Sequence, residues 1–335
     1  MAASAILSAL FFALQAVSEG VLFIMIKGQG ESSGKIILMG EHSVVYGEPA
    51  IAFPFYAAKV VATIEPAIED TLVSSYYTGE LANAPHALKN IKQLVFRLKK
   101  DYDLIESLKI IIESTIPAER GMGSSAAVAV AVTRAFYDYL SVPLSQERLL
   151  DHVQTSEKIA HGNPSGIDAA ATSSKDPIYF TKGQPFDYFP LNIDAFLIVA
   201  DTGIKGQTRE AVKDVAHLFT QSPKSVGKKI QQLGLLTQLA KQAITDNHTE
   251  QLAQTMNHAQ TILRDLTISN QFLDLLIHTA VENGALAAKL TGGGRGGCMI
   301  ALATTKQKAQ EVSQALLEAG AAATWIQGLG VHTHV

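Results

Sequence analysis

The chain has 335 residues, 47% of them hydrophobic, with 27 Lys and Arg against 31 Asp and Glu for a formal net charge of −4. That length and apolar content support a sizeable core and favour two domains over one, and the absence of a long basic block argues against nucleic acid as a partner. A single cysteine, Cys298, excludes an intrachain disulfide framework and fits a reducing, cytoplasmic setting, while the ten histidines show no zinc-ligand spacing.

The first 25 residues, MAASAILSALFFALQAVSEGVLFIM, are apolar but interrupted by Glu19 and Gly20, and no Lys or Arg precedes Lys27. The unbroken run before Gln15 is short for a bilayer span, and the missing positive region argues against a secretory signal. An apolar extension outside the fold is expected. It is read either as an upstream start preceding Met25 or as a loosely docked tail, with no stable membrane association.

From Gly34 the pattern becomes mixed α and β. KIILM predicts a buried strand over 35–39, and AIAFPF with AKVVATIEP predicts strands within 50–66, broken at Pro54 and Pro66. Leu88, Ile91, Leu94, Val95 and Leu98 share one helical face, so a helix is expected over 85–102, followed by a strand over 107–114. PAERGMGSSAA (117–127) opens a helix running to about 139. Beyond Pro143 an amphipathic helix over 145–162 leads into GNPSGIDAAATSS, read as a turn and a short helix. AFLIVADTG (195–203) is a strand entering a loop. Long helices follow, near 205–220, 223–246, 249–268 and 270–283. AAKLTGGGRGGCMIALA predicts strand, glycine turn and strand over 287–303, and a helix over 306–320 and a strand over 322–329 close the chain. The change of texture near 190–195 divides the chain into domains of 26–192 and 193–335.

Two glycine patterns are decoys. GESSGKI has Gln29 where a phosphate-binding P-loop needs glycine, and Ile36 where it needs Ser or Thr. GGGRGG fits a dinucleotide fingerprint literally, but a strand-like CMIALA follows it where a helix is required.

Four other stretches can carry chemistry. In PAERGMGSSAA, Gly121 and Gly123 permit positive φ and close approach of a ligand, and Ser124 and Ser125 lie at a helix N-terminus whose unpaired N–H groups and dipole favour an anion. An ordinary capped helix needs fewer such residues. Arg120 adds a cation beside the loop or is simply solvated. In GKIILMGEHSVVYG, Lys35 opens a buried strand, a poor place for a solubilising lysine, and Glu41 and His42 sit in a glycine-bounded turn. Alone, His42 reads equally as a structural histidine. In SEKIAHGNPSGIDAAA, Ser165 is expected as N-cap with Asp168 at the third helical position, where the dipole favours the carboxylate; a capping role alone is the plainer reading. Glu157 lies near the end of the preceding helix. The fourth, LTGGGRGGCMIAL, is a glycine loop able to close over a ligand, or a flexible turn.

Taken together, GK with GEHSVVYG, then PAERGMGSSAA, then the late glycine loop resemble the three-motif layout of the GHMP kinases, from about Lys27 to Val331. Within that superfamily, GKIILMGEHSVVYGEPAIA and IAHGNPSGIDAAA look most like the mevalonate kinases of bacterial type. The resemblance implies an α+β fold of two α/β-type domains, the second ferredoxin-like, with the ATP and substrate cleft between them. It implies a magnesium-dependent kinase acting on ATP and mevalonate in isoprenoid synthesis, and a homodimer. It further implies that Pro117, Ala118, Glu119, Arg120, Gly121, Met122, Gly123, Ser124, Ser125, Ala126 and Ala127 wrap the nucleotide phosphates. Ser125 and Glu157 would hold Mg²⁺, Asp168 would be the catalytic base and Lys35 its neighbour. Glu41, His42 and Thr202 would lie toward the acceptor substrate, with Thr208 lining the cleft, and Gly292, Gly293 and Gly294 would form the third-motif loop. Met122 departs mildly from the family's usual leucine. Arg295 interrupts the glycine run, either to reach a phosphate or to point to solvent. Phosphomevalonate kinase is the competing relative, and a non-catalytic sensor on the same fold would be expected to lack Lys35, Glu157 or Asp168.

Overall fold

The computed structural model describes residues 27–162 and 164–332, so the apolar extension expected over 1–25 lies outside the described residues. The chain opens with β1 (Gly28–Met39) and β2 (Ala50–Ala67), paired antiparallel around the GEHSVVYG turn. β2 runs unbroken through Pro54, where the sequence predicts an interruption. Its edge away from β1 pairs with β6 (Ile178–Phe180) only at Ala50–Ala52 and with β5 (Ser107–Ser114) only from Val60. Pro54 therefore sits where that edge asks for no donor. The register against β1 also jumps between Ser33 and Gly34, from Lys59 to Phe55, a bulge that bends the same stretch.

Short strands β3 (Thr71–Val73), β4 (Thr78–Glu80) and β7 (Asp187–Tyr188) extend this sheet to the order β4-β3-β5-β2-β6-β7, with β1 along β2. Among the described residues, four α-helices accompany it: α1 (Lys89–Asp101), α2 (Ser124–Tyr139), α3 (Gln146–His161) and α4 (Ile167–Ser173). The central one, α2, lies on β1 at backbone contact. A Cβ on Gly28 would fall 2.2 Å from the Ala135 carbonyl oxygen, and one on Gly30 would fall 2.3 Å from that of Ala131. Strand glycines and buried helix alanines thus let the helix approach closely, which fixes where its N-terminus points.

The second half begins with β8 (Phe196–Asp201) and continues through α5 (Thr208–Gln221), α6 (Pro223–Thr245), α7 (Thr249–Asp265) and α8 (Gln271–Glu282). Strands β9 (Ala287–Leu290) and β10 (Cys298–Ala303), helix α9 (Lys306–Glu318) and strand β11 (Ala323–Gly328) complete it. The antiparallel order β11-β8-β10-β9 is that of a ferredoxin-like split βαβ unit, with extra helices in the first crossover. The outer edge of β9 is covered by α7: Leu290 N–H donates to Gln260 Oε1 at 3.0 Å and Ala288 N–H to Asn257 Oδ1 at 3.3 Å. That edge strand carries the third glycine loop, so the loop starts from a fixed support. Among the described residues, no helix is long and apolar enough to cross a membrane.

Candidate active site

The phosphate-loop candidate is built on α2. Gly123 is its N-cap with φ +70°, and Ser124 and Ser125 are the first two helical residues. The first bond of the helical ladder runs from Ala127 N–H to the Gly123 carbonyl at 2.9 Å. The N–H groups of Ser124, Ser125 and Ala126 therefore stand at the open end of the helix, where they and the dipole favour an anion. The loop before the helix is tied to β1 through Lys35 N–H donating to the Met122 carbonyl at 2.9 Å. A Cβ on Gly123 would lie 2.8 Å from Lys35 Cγ, so the glycine leaves the lysine side chain its path beneath the loop.

Lys35 and Asp168 meet as an ion pair at 3.0 Å, the lysine side chain 7% exposed and the aspartate 38%. The α4 N-cap is Gly166 with φ +86°, not Ser165, and Asp168 is the second helical residue, one position earlier than predicted. Ser165 Oγ still accepts the Ile167 N–H at 3.4 Å, but only glycine adopts the left-handed cap at low cost. Next to this pair, Ser125 Oγ donates to Glu157 Oε1 at 2.6 Å, and His161 Nε2 stands 3.8 Å from Glu157 Oε2. Burial pushes the Glu157 carboxyl above the usual range, while the Ser125 hydrogen bond and His161 pull it back.

The first motif divides its two polar residues. Glu41, predicted to face substrate, is one of the residues lining the cavity described below, and its side chain is fully buried and ion-paired with an equally buried Lys289 on β9. Its Oε2 has no hydrogen-bond partner among the described residues. Burial pushes Glu41 up and Lys289 down, and each charge pulls the other back toward its ionised form. His42, held at φ +59°, donates Nε2–H to the Gly293 carbonyl at 2.9 Å, and burial lowers its pKa. With Nε2 as donor, the neutral ring presents Nδ1 as an acceptor, and that atom finds no partner among the described residues.

These groups share a cavity of about 870 Å³ between the two halves, within the range of small-molecule sites. Lys35, His42, Gly121, Glu157 and Asp168 line it from one side, and Thr208, Gly292 and Gly293 from the other. Thr202, expected among them, is not in the wall. Its hydroxyl donates to the Gly297 carbonyl at 2.7 Å and accepts the Ile204 N–H at 3.2 Å, so it serves the loop behind the cavity. Gly294 likewise packs on Ile268 rather than on the cavity. Both arginines are engaged in protein contacts. Arg120 binds Asp201 at 3.0 Å and the Gly203 carbonyl at 2.9 Å, joining the phosphate loop to β8. Arg295 binds Asp214 and the Thr267 carbonyl, which corrects both sequence readings of it.

Ser125 and Glu157 are hard oxygen donors suited to Mg²⁺. No cluster of three or more His, Cys, Asp or Glu side chains occurs among the described residues. That pattern fits a cation held by one or two protein oxygens together with substrate phosphates, as Mg²⁺ commonly is.

Residues 88–175 match the family model described as GHMP kinases N terminal domain, and residues 238–322 match GHMP kinases C terminal. A mevalonate kinase from Pyrococcus furiosus is 33% identical over 309 residues, covering 85% of this chain and 91% of that protein. The crystal structure of mevalonate kinase from methicillin-resistant Staphylococcus aureus superposes with a TM-score of 0.72 at 39% identity, covering 91% of this chain and 99% of that one. A Streptococcus pneumoniae phosphomevalonate kinase shares the fold alone, with a TM-score of 0.73 at 16% identity over 88% of this chain and 98% of that one. Matched in both halves and related over most of its length, the chain belongs to the GHMP kinase family.

Proposed function

We propose that this kinase transfers the γ-phosphoryl group of ATP to the primary hydroxyl of mevalonate, with Mg²⁺ as cofactor, in the cytoplasm. The observation that carries the reading is the Lys35–Asp168 pair at 3.0 Å beside the open N-terminus of α2. The hydroxyl oxygen attacks the γ-phosphorus, the bond to the bridging oxygen of ADP breaks, and the hydroxyl proton passes to Asp168. Lys35 orients Asp168 and offsets negative charge on the phosphoryl oxygens, and the α2 N–H groups receive the nucleotide phosphates. When bound by Ser125 and Glu157, Mg²⁺ supplies a positive charge shared with the phosphates. The acceptor side suits a small branched hydroxy acid: Val44, Ile167 and Phe180 give an apolar wall, with His42 among the polar residues beside it.

A coupled assay over mevalonate, phosphomevalonate, galactose and homoserine tests this reading, with mevalonate expected to dominate in kcat/KM. Turnover of phosphomevalonate equal to or above that of mevalonate would replace it with the competing kinase.

Acidification provides a second check. Because burial raises the Glu157 carboxyl above its ordinary range, protons compete with the metal at a higher pH than an ordinary glutamate would allow. As pH is lowered, the magnesium concentration for half-maximal rate is expected to begin rising at a higher pH than an ordinary glutamate would set, and Ser125→Ala should move that onset to still higher pH by removing the hydrogen bond that favours the anion. A magnesium requirement that does not change on acidification over the whole range in which the enzyme stays folded would remove Glu157 as ligand.

A further inference from the structure

We infer that Asn90, at the start of α1, is a positioning residue that aims the metal-binding hydroxyl of Ser125 and anchors the helix turn carrying Glu157. The inference rests on the metal-site reading above and goes beyond it to a residue that touches neither substrate nor metal.

Asn90 is 7% exposed and is not part of the cavity wall. Its amide Nδ2 donates to Ser125 Oγ at 3.2 Å and to Ser156 Oγ at 3.3 Å. Ser156 is wholly buried and immediately precedes Glu157 on α3. Ser125 in turn donates to Glu157 Oε1 at 2.6 Å. One amide thus reaches both elements of the metal site: the helix that brings the hydroxyl and the helix that brings the carboxylate.

The chemistry explains why an amide is needed. A serine hydroxyl has one hydrogen to give and two sites at which to accept. Asn90 fills one accepting site and Glu157 takes the hydrogen. The hydroxyl is then held in one rotation, with its second lone pair left for a cation. An apolar residue at position 90 would let the hydroxyl rotate. A carboxylate there would compete with Glu157 for the same hydrogen and add a second negative charge behind the site. An amide donates twice and carries no charge. Groups that orient metal ligands from behind typically matter about 10–100-fold in metal affinity or activity.

The test uses Asn90→Ala and the near-isosteric Asn90→Asp. Mn²⁺ binding to the complex of enzyme and ADP is read by electron paramagnetic resonance, alongside the magnesium concentration for half-maximal rate, KM for the acceptor alcohol and the thermal unfolding midpoint. Metal affinity is expected to fall about tenfold or more in both variants while KM for the acceptor changes less than about threefold, a split that general loosening of the fold would not produce. Should Asn90→Ala fail to fold, the isosteric variant carries the measurement. Ser125→Ala is measured in parallel. Metal binding weakened by Ser125→Ala but unchanged in the folded Asn90 variants overturns the inference alone. Metal binding unchanged in all of them overturns the metal-site reading and the inference with it.

Discussion

Asp168→Asn brings turnover down about 10²–10⁴-fold, the range a positioned general base contributes, while ADP and ATP still bind. The substitution is nearly isosteric, so the α4 N-terminus and the cavity wall keep their shape. The proton acceptor is lost, and so is the charge that holds Lys35 at 3.0 Å. Nucleotide affinity should survive, because the N–H groups at the start of α2 do not depend on Asp168. Single-turnover rates and nucleotide titrations on the same preparation separate the two effects. Turnover close to wild type would dismiss Asp168 as the base. Lys35→Met belongs to the same test. Burial of that lysine in β1 leaves its charge weakly screened, so its removal should cost about 10²–10³-fold in kcat with little change in fold.

That pair is legible in the sequence because both residues break a local rule. A lysine opening the apolar run KIILM and an aspartate in the first turn after a glycine-rich break are each out of place for solubility or packing. Lys289 breaks the same rule, inside AAKLTGGG, but its role cannot be read there because the charge it answers, Glu41, lies 248 residues away. The pairing of Glu41 is hidden for the same reason: a carboxylate in a loop looks unpaired until the distant lysine beside it is in view. Asn90 has no signal of its own. It falls on the polar margin of an amphipathic helix, and only the packing of α1 against α2 and α3 brings its amide to two serines.

Local chemistry explains the smaller discrepancies of the fold. Pro54 reads as a strand breaker because its position opposite an unpaired stretch of edge is a tertiary fact. Strands of two or three residues such as β3, β4 and β7 carry too few side chains for a period of two to show. Ser165 is the better cap by residue type, but the left-handed turn at Gly166 decides the start of α4. Long helices and the three motifs are legible because their signals are local and repeated.

Lys289→Met should lower the unfolding free energy by about 3–5 kcal/mol, since it leaves Glu41 as an uncompensated charge in a site with no exposed side-chain surface. The lysine also donates to the Leu290 carbonyl at 2.8 Å, and that acceptor loses its charged donor. The pair does not act alone in joining the halves. Thr291 Oγ1 donates to the Ile37 carbonyl at 2.7 Å, His42 holds Gly293, and Gln327 on β11 accepts the Tyr56 N–H at 2.6 Å in the β2 bulge. Three of these contacts, Glu41 with Lys289, Ile37 with Thr291 and His42 with Gly293, connect the first motif to the strand and loop of the third. A loss at Lys289 should therefore appear both as instability and as poorer closure of the glycine loop over the cavity. The double variant Glu41→Leu with Lys289→Met removes both charges and is expected to recover most of the stability, because a buried ion pair commonly gives little net gain over apolar residues of similar volume. It should not recover full activity, since His42 would lose the neighbouring contact that fixes its turn against Gly293. Urea unfolding of the wild type, the single and the double variants measures the first effect, and KM for the acceptor measures the second. A single variant within about 1 kcal/mol of wild type would mean that Glu41 takes a proton on losing Lys289 at little cost, and the ion pair would then not be what holds the two motifs together.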